Sequence, residues 1–172
     1  MRVTKPTILI ESIEDLIHLL DSSLPQDFKE SNIDLRLDHK KLETYVTWSK
    51  ERYTRNCIVK RNHYELILLC WSPNQSTKIH CHGGEECWVY LVDGKIEENL
   101  YDLKKGDIEL KTKRQLGNGK ISYMNDSLGF HSLHNHSDSK TMTLHLYMNP
   151  IESCTYYDED TLKFIPKAMK FD

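Results

Sequence analysis

The chain has 172 residues, 38% hydrophobic and 28% charged, with a formal net charge of −3. That balance fits a folded globular protein and offers no basic excess for gripping nucleic acid, while the longest apolar run, Leu66–Trp71, is too short to span a bilayer. Nine histidines are many for this length and five cysteines is an odd number, so chemistry is expected at these residue types.

The first residues, Met1 to Leu16, lack the apolar stretch and small-residue cleavage site of a secretory leader, so a cytoplasmic protein with reduced thiols is expected. Ser12, Asp15 and then Leu16, Ile17, Leu19 and Leu20 predict an N-cap, an acidic first turn and an amphipathic helix ending near Pro25. Helical spacing of Leu42, Tyr45, Val46 and Trp48 predicts a further helix over Asp38–Trp48. Near residue 50 the pattern changes to short β-branched and aromatic segments. These predict strands over His63–Trp71, Glu86–Val92, Ile96–Tyr101, Asp107–Leu110, Ile121–Met124 and Lys140–Met148, separated by turns such as Asp93-Gly94, Lys105-Gly106 and Gly117-Asn118-Gly119. Evenly spaced short strands predict a closed barrel or a jelly roll. The expected organisation is one domain, residues 1–172, in which a helical segment, 1–50, packs on the outside of a barrel, 51–165.

Cys57, Cys70, Cys81, Cys87 and Cys154 form no Cys-x-x-Cys pair, which excludes a structural zinc finger and a disulfide framework. Phosphate-loop, dinucleotide, His-Glu-x-x-His and Gly-x-Ser-x-Gly motifs are also missing. His80 and His82 are one residue apart, so on a strand both imidazoles would project to one face and reach one metal ion. His131, 49 residues beyond His82, could supply a third imidazole from an opposing strand and leave metal positions open.

These residues resemble the cupin superfamily. His80-x-His82, four residues, Cys87, six residues and Gly94 match its first motif with cysteine at the usual acidic position, and His131 with Asn135 matches its second. Cysteine at that position, together with Tyr53-Thr54-Arg55-Asn56, Leu69-Cys70-Trp71, Asn125-Asp126-Ser127 and Leu144-His145-Leu146-Tyr147, is similar to the cysteine dioxygenase family, over roughly residues 40 to 160. The resemblance implies an all-β cupin jelly-roll barrel and an iron(II) enzyme that converts L-cysteine and O2 to cysteine sulfinic acid. It implies His80, His82 and His131 as Fe(2+) ligands. Three neutral imidazoles leave the site more positive than the usual two-His-one-carboxylate set, which favours an incoming thiolate. Glu85 or Glu86 as a fourth ligand is the competing reading.

By the same resemblance Arg55 clamps the substrate carboxylate, its planar fork of donors matching two oxygens, and Tyr53 lines the pocket beside it. Thr143, His145 and Tyr147 form a hydrogen-bonded relay from one strand face. Cys87 and Tyr147 join in a thioether during turnover, with a modest effect on activity, and Cys154 lines the pocket mouth. Trp71 and Cys70 read as core. His18, His39, His63, His134 and His136 read as structural or solvated.

Departures from the family pattern are Cys81, where an aspartate is common, the segment Gly83-Gly84-Glu85-Glu86, and the proline of Met148-Asn149-Pro150, one position late for a cis peptide after the tyrosine. Dioxygenation of 3-mercaptopropionate or cysteamine stays open as an alternative, although relatives acting on 3-mercaptopropionate commonly lack the arginine and cysteamine has no carboxylate. A non-catalytic metal-binding sensor is the alternative from another class. A monomer without nucleic-acid or membrane partners is expected.

Overall fold

The computed structural model describes residues 6–23 and 25–172, so Met1–Lys5, the start of the segment read for a leader, lies outside the described residues. Among the described residues no helix is long and apolar enough to cross a membrane. The chain forms two compact units divided between Thr44 and Tyr45.

In the first unit, strand β1 (Thr7–Ile10) pairs in parallel with β2 (Asn32–Leu35). Between them lie helix α1 (Ile13–Ser22) and helix α2 (Pro25–Glu30). Ser12 caps α1, its hydroxyl accepting the Asp15 N–H at 3.1 Å, and the helix buries Ile13, Leu16 and Leu20 along one stripe. Helix α1 ends at Ser22, and Pro25 opens α2, since a first-turn position needs no N–H.

The helix expected over Asp38–Trp48 is instead a 3₁₀ helix over His39–Tyr45. Only Leu42 is buried within it, so no apolar stripe favours the wider α turn, and Asp38 accepts the N–H groups of Lys40 and Lys41 in the tighter pattern.

The second unit carries β3 (Thr54–Lys60), β4 (Tyr64–Trp71), β5 (Glu86–Asp93), β6 (Lys95–Lys104), β7 (Asp107–Gly117), β8 (Ile121–Met124), β9 (Phe130–His134), β10 (Thr141–Met148), β11 (Ser153–Asp158) and β12 (Lys163–Ala168). A five-stranded antiparallel sheet has the order β3-β4-β10-β5-β8, and opposite it lie the three-stranded sheet β7-β6-β9 and the ribbon β11-β12. The sheets stay open rather than closing into a barrel, because β3, β7 and β8 remain edges; two facing sheets in jelly-roll fashion hold the core.

That core includes Ile67, Leu69 and Trp71 of β4, Val89 and Leu91 of β5, Ile96 of β6 and Leu133 of β9. Each such fully buried side chain stabilises the unit by about 1.5–3 kcal/mol before entropy is counted. Gly94 turns β5 into β6 at φ +93°, where a Cβ would overlap Thr141 Oγ1, so this corner of the core admits only glycine.

Candidate metal centre and adjoining cavity

His131 sits on β9 with its side chain inward, and His80 meets it across an isolated antiparallel bridge. The segment around His80 and His82 is not a strand. It is extended chain, bridged at His80 to His131 and Tyr156, that turns at Gly83 (φ +65°) and Gly84 (φ +94°). His80 and His82 nonetheless bring their rings together, with centroids 5.4 Å apart.

Asp126 fixes His82. Its carboxylate accepts the His82 N–H at 2.8 Å and the Gly84 N–H at 2.7 Å, while Asn125 caps the short 3₁₀ turn Asp126–Leu128 that presents it.

The Nε2 atom of His131 lies 3.2 Å from those of both His80 and His82. Proton positions follow from the other ring nitrogens. His80 Nδ1 is 2.9 Å from the Lys78 carbonyl oxygen and His131 Nδ1 is 2.8 Å from Glu98 Oε1, and these partners only accept. Both Nδ1 atoms therefore carry a hydrogen, which in the neutral rings leaves the Nε2 lone pairs facing each other. A cation satisfies that arrangement. Burial, then the neighbouring His131, lowers His80 to about 3 and holds His82 well below the ordinary imidazole range, keeping both neutral as metal ligands require. Among the described residues these three histidines are the group able to hold a metal ion. Glu86 accepts the Tyr123 hydroxyl at 2.8 Å and Glu85 accepts the Asn149 amide at 2.8 Å, and neither belongs to that group.

Glu98 is the residue that sequence reasoning missed. Its carboxylate, with 0% exposure, accepts from His131, from Arg114 Nε at 2.7 Å and from the Ser122 hydroxyl at 2.7 Å. Burial opposes its ionisation, but the His131, Arg114 and Ser122 hydrogen bonds bring its pKa down to about 2. Strand parity carried the signal: Ile96 and Glu98 are two apart on β6 and share the inward face.

A cavity of about 370 Å³ opens beside the histidines and is lined by Tyr53, Arg55, His145, Tyr147 and Cys154, among others. Arg55, on β3, is buried, and its Nε and one terminal nitrogen have no hydrogen-bond partner. Its backbone is pinned by Asp172, whose carboxylate accepts the Arg55 N–H at 2.8 Å and pairs with Arg52. Tyr53 stacks on Trp71 at 4.6 Å.

Trp71, read as plain core from sequence, donates its indole N–H to Thr143 Oγ1 at 2.8 Å. Thr143 Oγ1 is 2.9 Å from His145 Nε2, and His145 Nδ1 is 4.0 Å from Cys87 Sγ. The indole only donates, so it occupies one lone pair of the Thr143 hydroxyl, which keeps its hydrogen and a second lone pair for His145 Nε2. Tyr147 stands directly opposite Cys87 in the β10–β5 register, and its ring stacks 6.2 Å from that of His145. Burial raises Tyr147 well above the ordinary phenol range, and it raises the Cys87 thiol as well.

All five cysteines are free thiols. Cys70 is core, Cys57 and Cys81 are half-buried, and Cys81 donates its N–H to the Thr155 carbonyl. Among the described residues there is no cis peptide bond, including at Met148-Asn149-Pro150.

The family model for cysteine dioxygenase type I matches residues 6–160. Cysteine dioxygenase type 1 of Rattus norvegicus is 33% identical over 122 residues, covering 68% of this chain and 61% of the rat protein. The zebrafish (Danio rerio) cysteine dioxygenase type 1 is 32% identical over 167 residues, covering 88% of this chain and 81% of its own. The match thus spans less than two thirds of the rat relative's length.

Among solved structures, a Thermus thermophilus protein superposes with TM-score 0.53 at 17% identity, over 63% of this chain and 93% of that one. A Klebsiella pneumoniae protein with a double-stranded β-helix domain gives TM-score 0.51 at 16% identity, over 63% and 81%. At these identities the likeness is one of fold, and that fold is the cupin double-stranded β-helix.

Proposed function

The chain belongs to the cysteine dioxygenase type I family, and on that premise we propose that it oxidises L-cysteine with O2 to cysteine sulfinic acid, using iron(II) held by His80, His82 and His131. Both oxygen atoms enter at sulfur, the first irreversible step of thiol oxidation. The observation that carries this reading is the unpartnered Nε and terminal nitrogen of buried Arg55 in the cavity that His80 and His82, two of the three convergent imidazoles, also line. Bound there, iron(II) supplies open coordination positions and the electrons that activate dioxygen towards a thiolate.

The protein's own groups do the rest. Arg55 receives the substrate carboxylate with its free donors, and Tyr53, braced on Trp71, confines it. Such a clamp requires a carboxylate, so it selects cysteine over cysteamine. Tyr147 presents a protonated hydroxyl to the reacting group, since burial keeps the phenol from ionising. Thr143 and His145 form the supporting relay, and Cys154 lines the cavity beside it.

Cys87 and Tyr147 join in a thioether: the new bond links Sγ to a ring carbon beside the hydroxyl, one hydrogen leaves each partner, and dioxygen takes up the two electrons. Their direct opposition across β5 and β10 supports this assignment. Five free thiols fit a reducing cytoplasm, and the working unit is a monomer.

Oxygen uptake by the iron-loaded protein, measured with L-cysteine, 3-mercaptopropionate and cysteamine in turn, tests the reading. Uptake is expected with cysteine, matched by sulfinate formation. No cysteine-dependent uptake overturns it, and preference for another thiol moves the substrate while keeping the chemistry.

A further inference from the structure

The three imidazoles are not held alike. His80 Nδ1 meets a neutral backbone carbonyl, His82 Nδ1 is buried with no partner, and His131 Nδ1 meets the Glu98 carboxylate. Glu98 reaches His131 from within a cage built on rigid strands. Arg114 of β7 is its cross-strand partner, Ser122 comes from β8 in the opposite sheet, and Arg114 also donates to Ser122 Oγ at 2.5 Å. The two carboxylate oxygens divide the work: Oε2 takes both Arg114 and Ser122, leaving Oε1 to His131.

A buried carboxylate is expensive unless paired. Pairing Glu98 with Arg114 and Ser122 alone would satisfy one oxygen, so the placement of the other against a buried imidazole is a separate feature of the site.

We propose that Glu98 is a positioning residue for the metal centre: from outside the ligand set it holds His131 with Nε2 towards the metal and supplies the negative charge that three imidazoles lack. The proposal rests on the three-histidine assignment above. A carboxylate accepting the Nδ1–H makes the ring more electron-rich, so its other nitrogen binds a cation more strongly. His131 becomes the strongest donor of the three, and an anion in the second layer leaves the inner coordination positions free for small ligands. This reconciles a carboxylate-free ligand set with a site that must hold a divalent ion.

Equilibrium binding of cobalt(II) to the full chain, followed by its visible bands, reads this without turnover. Glu98→Gln keeps the shape and removes the charge, and it is expected to weaken cobalt(II) affinity about 10–100-fold, with shifted bands. Ser122→Ala leaves the Oε1 contact in place and is expected to change affinity less, even where both variants lower the melting temperature equally.

Unchanged cobalt(II) affinity in Glu98→Gln, with His131→Ala abolishing binding, overturns the proposal while leaving the ligand assignment intact. Retained binding in His131→Ala overturns the assignment itself. Equal affinity losses in Glu98→Gln and Ser122→Ala, tracking melting temperature, also overturn the proposal, because they reduce Glu98 to a fold element. Loss of the Nδ1-protonated His131 signal in nitrogen NMR of apo Glu98→Gln is the second expected readout.

Discussion

His80 and His131 exchange both main-chain hydrogen bonds, His80 N–H to His131 O at 2.9 Å and His131 N–H to His80 O at 3.0 Å. Their side-chain Nε2 atoms meet 3.2 Å apart on the inner side of the same pair. The backbone thus sets the spacing of two of the proposed metal ligands. The expected outcome is that His80→Ala and His131→Ala each lose bound iron while keeping the far-UV circular dichroism of the parent. Metal analysis beside the spectra checks this, and a collapse of secondary structure in either variant would count against a preformed site.

Arg55 gives the sharpest test of substrate choice. Charge-assisted hydrogen bonds to a carboxylate contribute about 1.5–3 kcal/mol, so Arg55→Ala should raise the KM for cysteine by about 10–100-fold. Cysteamine, with no carboxylate, should lose nothing. Steady-state oxygen uptake with both thiols separates the cases; an equal loss for the two would place Arg55 in the scaffold instead.

Cys87 faces Tyr147 across two neighbouring strands and is fully buried, so it meets few competing partners. After turnover with cysteine and iron, part of the parent protein is expected to run faster on a denaturing gel and to have lost two hydrogens in intact mass. Cys87→Ser should give one species only and retain most of its activity. A single unshifted parent species after turnover removes the cross-link.

Acid should weaken the metal-free protein in two windows. His80, His82 and His145 have native pKa values below the unfolded value of 6.5, so the unfolded chain binds more protons and stability falls as pH drops from about 6.5 towards 3. Glu98 is depressed from 4.5 to about 2; its contribution is present above 4.5 and is lost as pH falls through that lower range. Melting temperature against pH reads both, and a flat profile between pH 7 and 5 would contradict the neutral buried imidazoles. Metal should steepen the acid loss, because protons compete for the same nitrogens.

Asp126 joins the turn before β9 to the His82–Gly84 segment through the main-chain N–H groups of His82 and Gly84. Asp126→Ala should lower stability by about 1–3 kcal/mol and loosen His82, so iron affinity falls as well. Denaturant unfolding with and without iron separates the two effects, and a stability loss with unchanged iron affinity would confine Asp126 to the fold.

The histidine pair was legible from its spacing, whereas Arg55 and the pairing of Cys87 with Tyr147 were legible only through the family resemblance of the segments that carry them. What escaped has physical reasons. Strand β7 runs to Gly117, well beyond the predicted Leu110, because Lys111, Thr112, Lys113, Arg114 and Gln115 lie on an exposed edge and carry no apolar alternation. Strands β3, β9, β11 and β12 were not foreseen from pattern either. In β11 and β12 most residues are half-buried or exposed, and pairing with each other defines them more than any inward face. Glu98 was missed because a charged side chain reads as solvated until strand parity is followed through it. The open sheets could not be told from a closed barrel, since closure depends on which edges meet and not on where strands begin.

Trp71 gives the molecule an optical handle on its own cavity. The indole is fully buried, hydrogen-bonded to Thr143, and stacked on the Tyr53 ring that lines the cavity wall. Any guest that shifts Tyr53 or drains charge from Thr143 alters the polarity felt by that excited indole. Tryptophan emission, with Trp48 and Trp88 replaced by phenylalanine, then becomes a label-free titration of occupancy in the protein's own light.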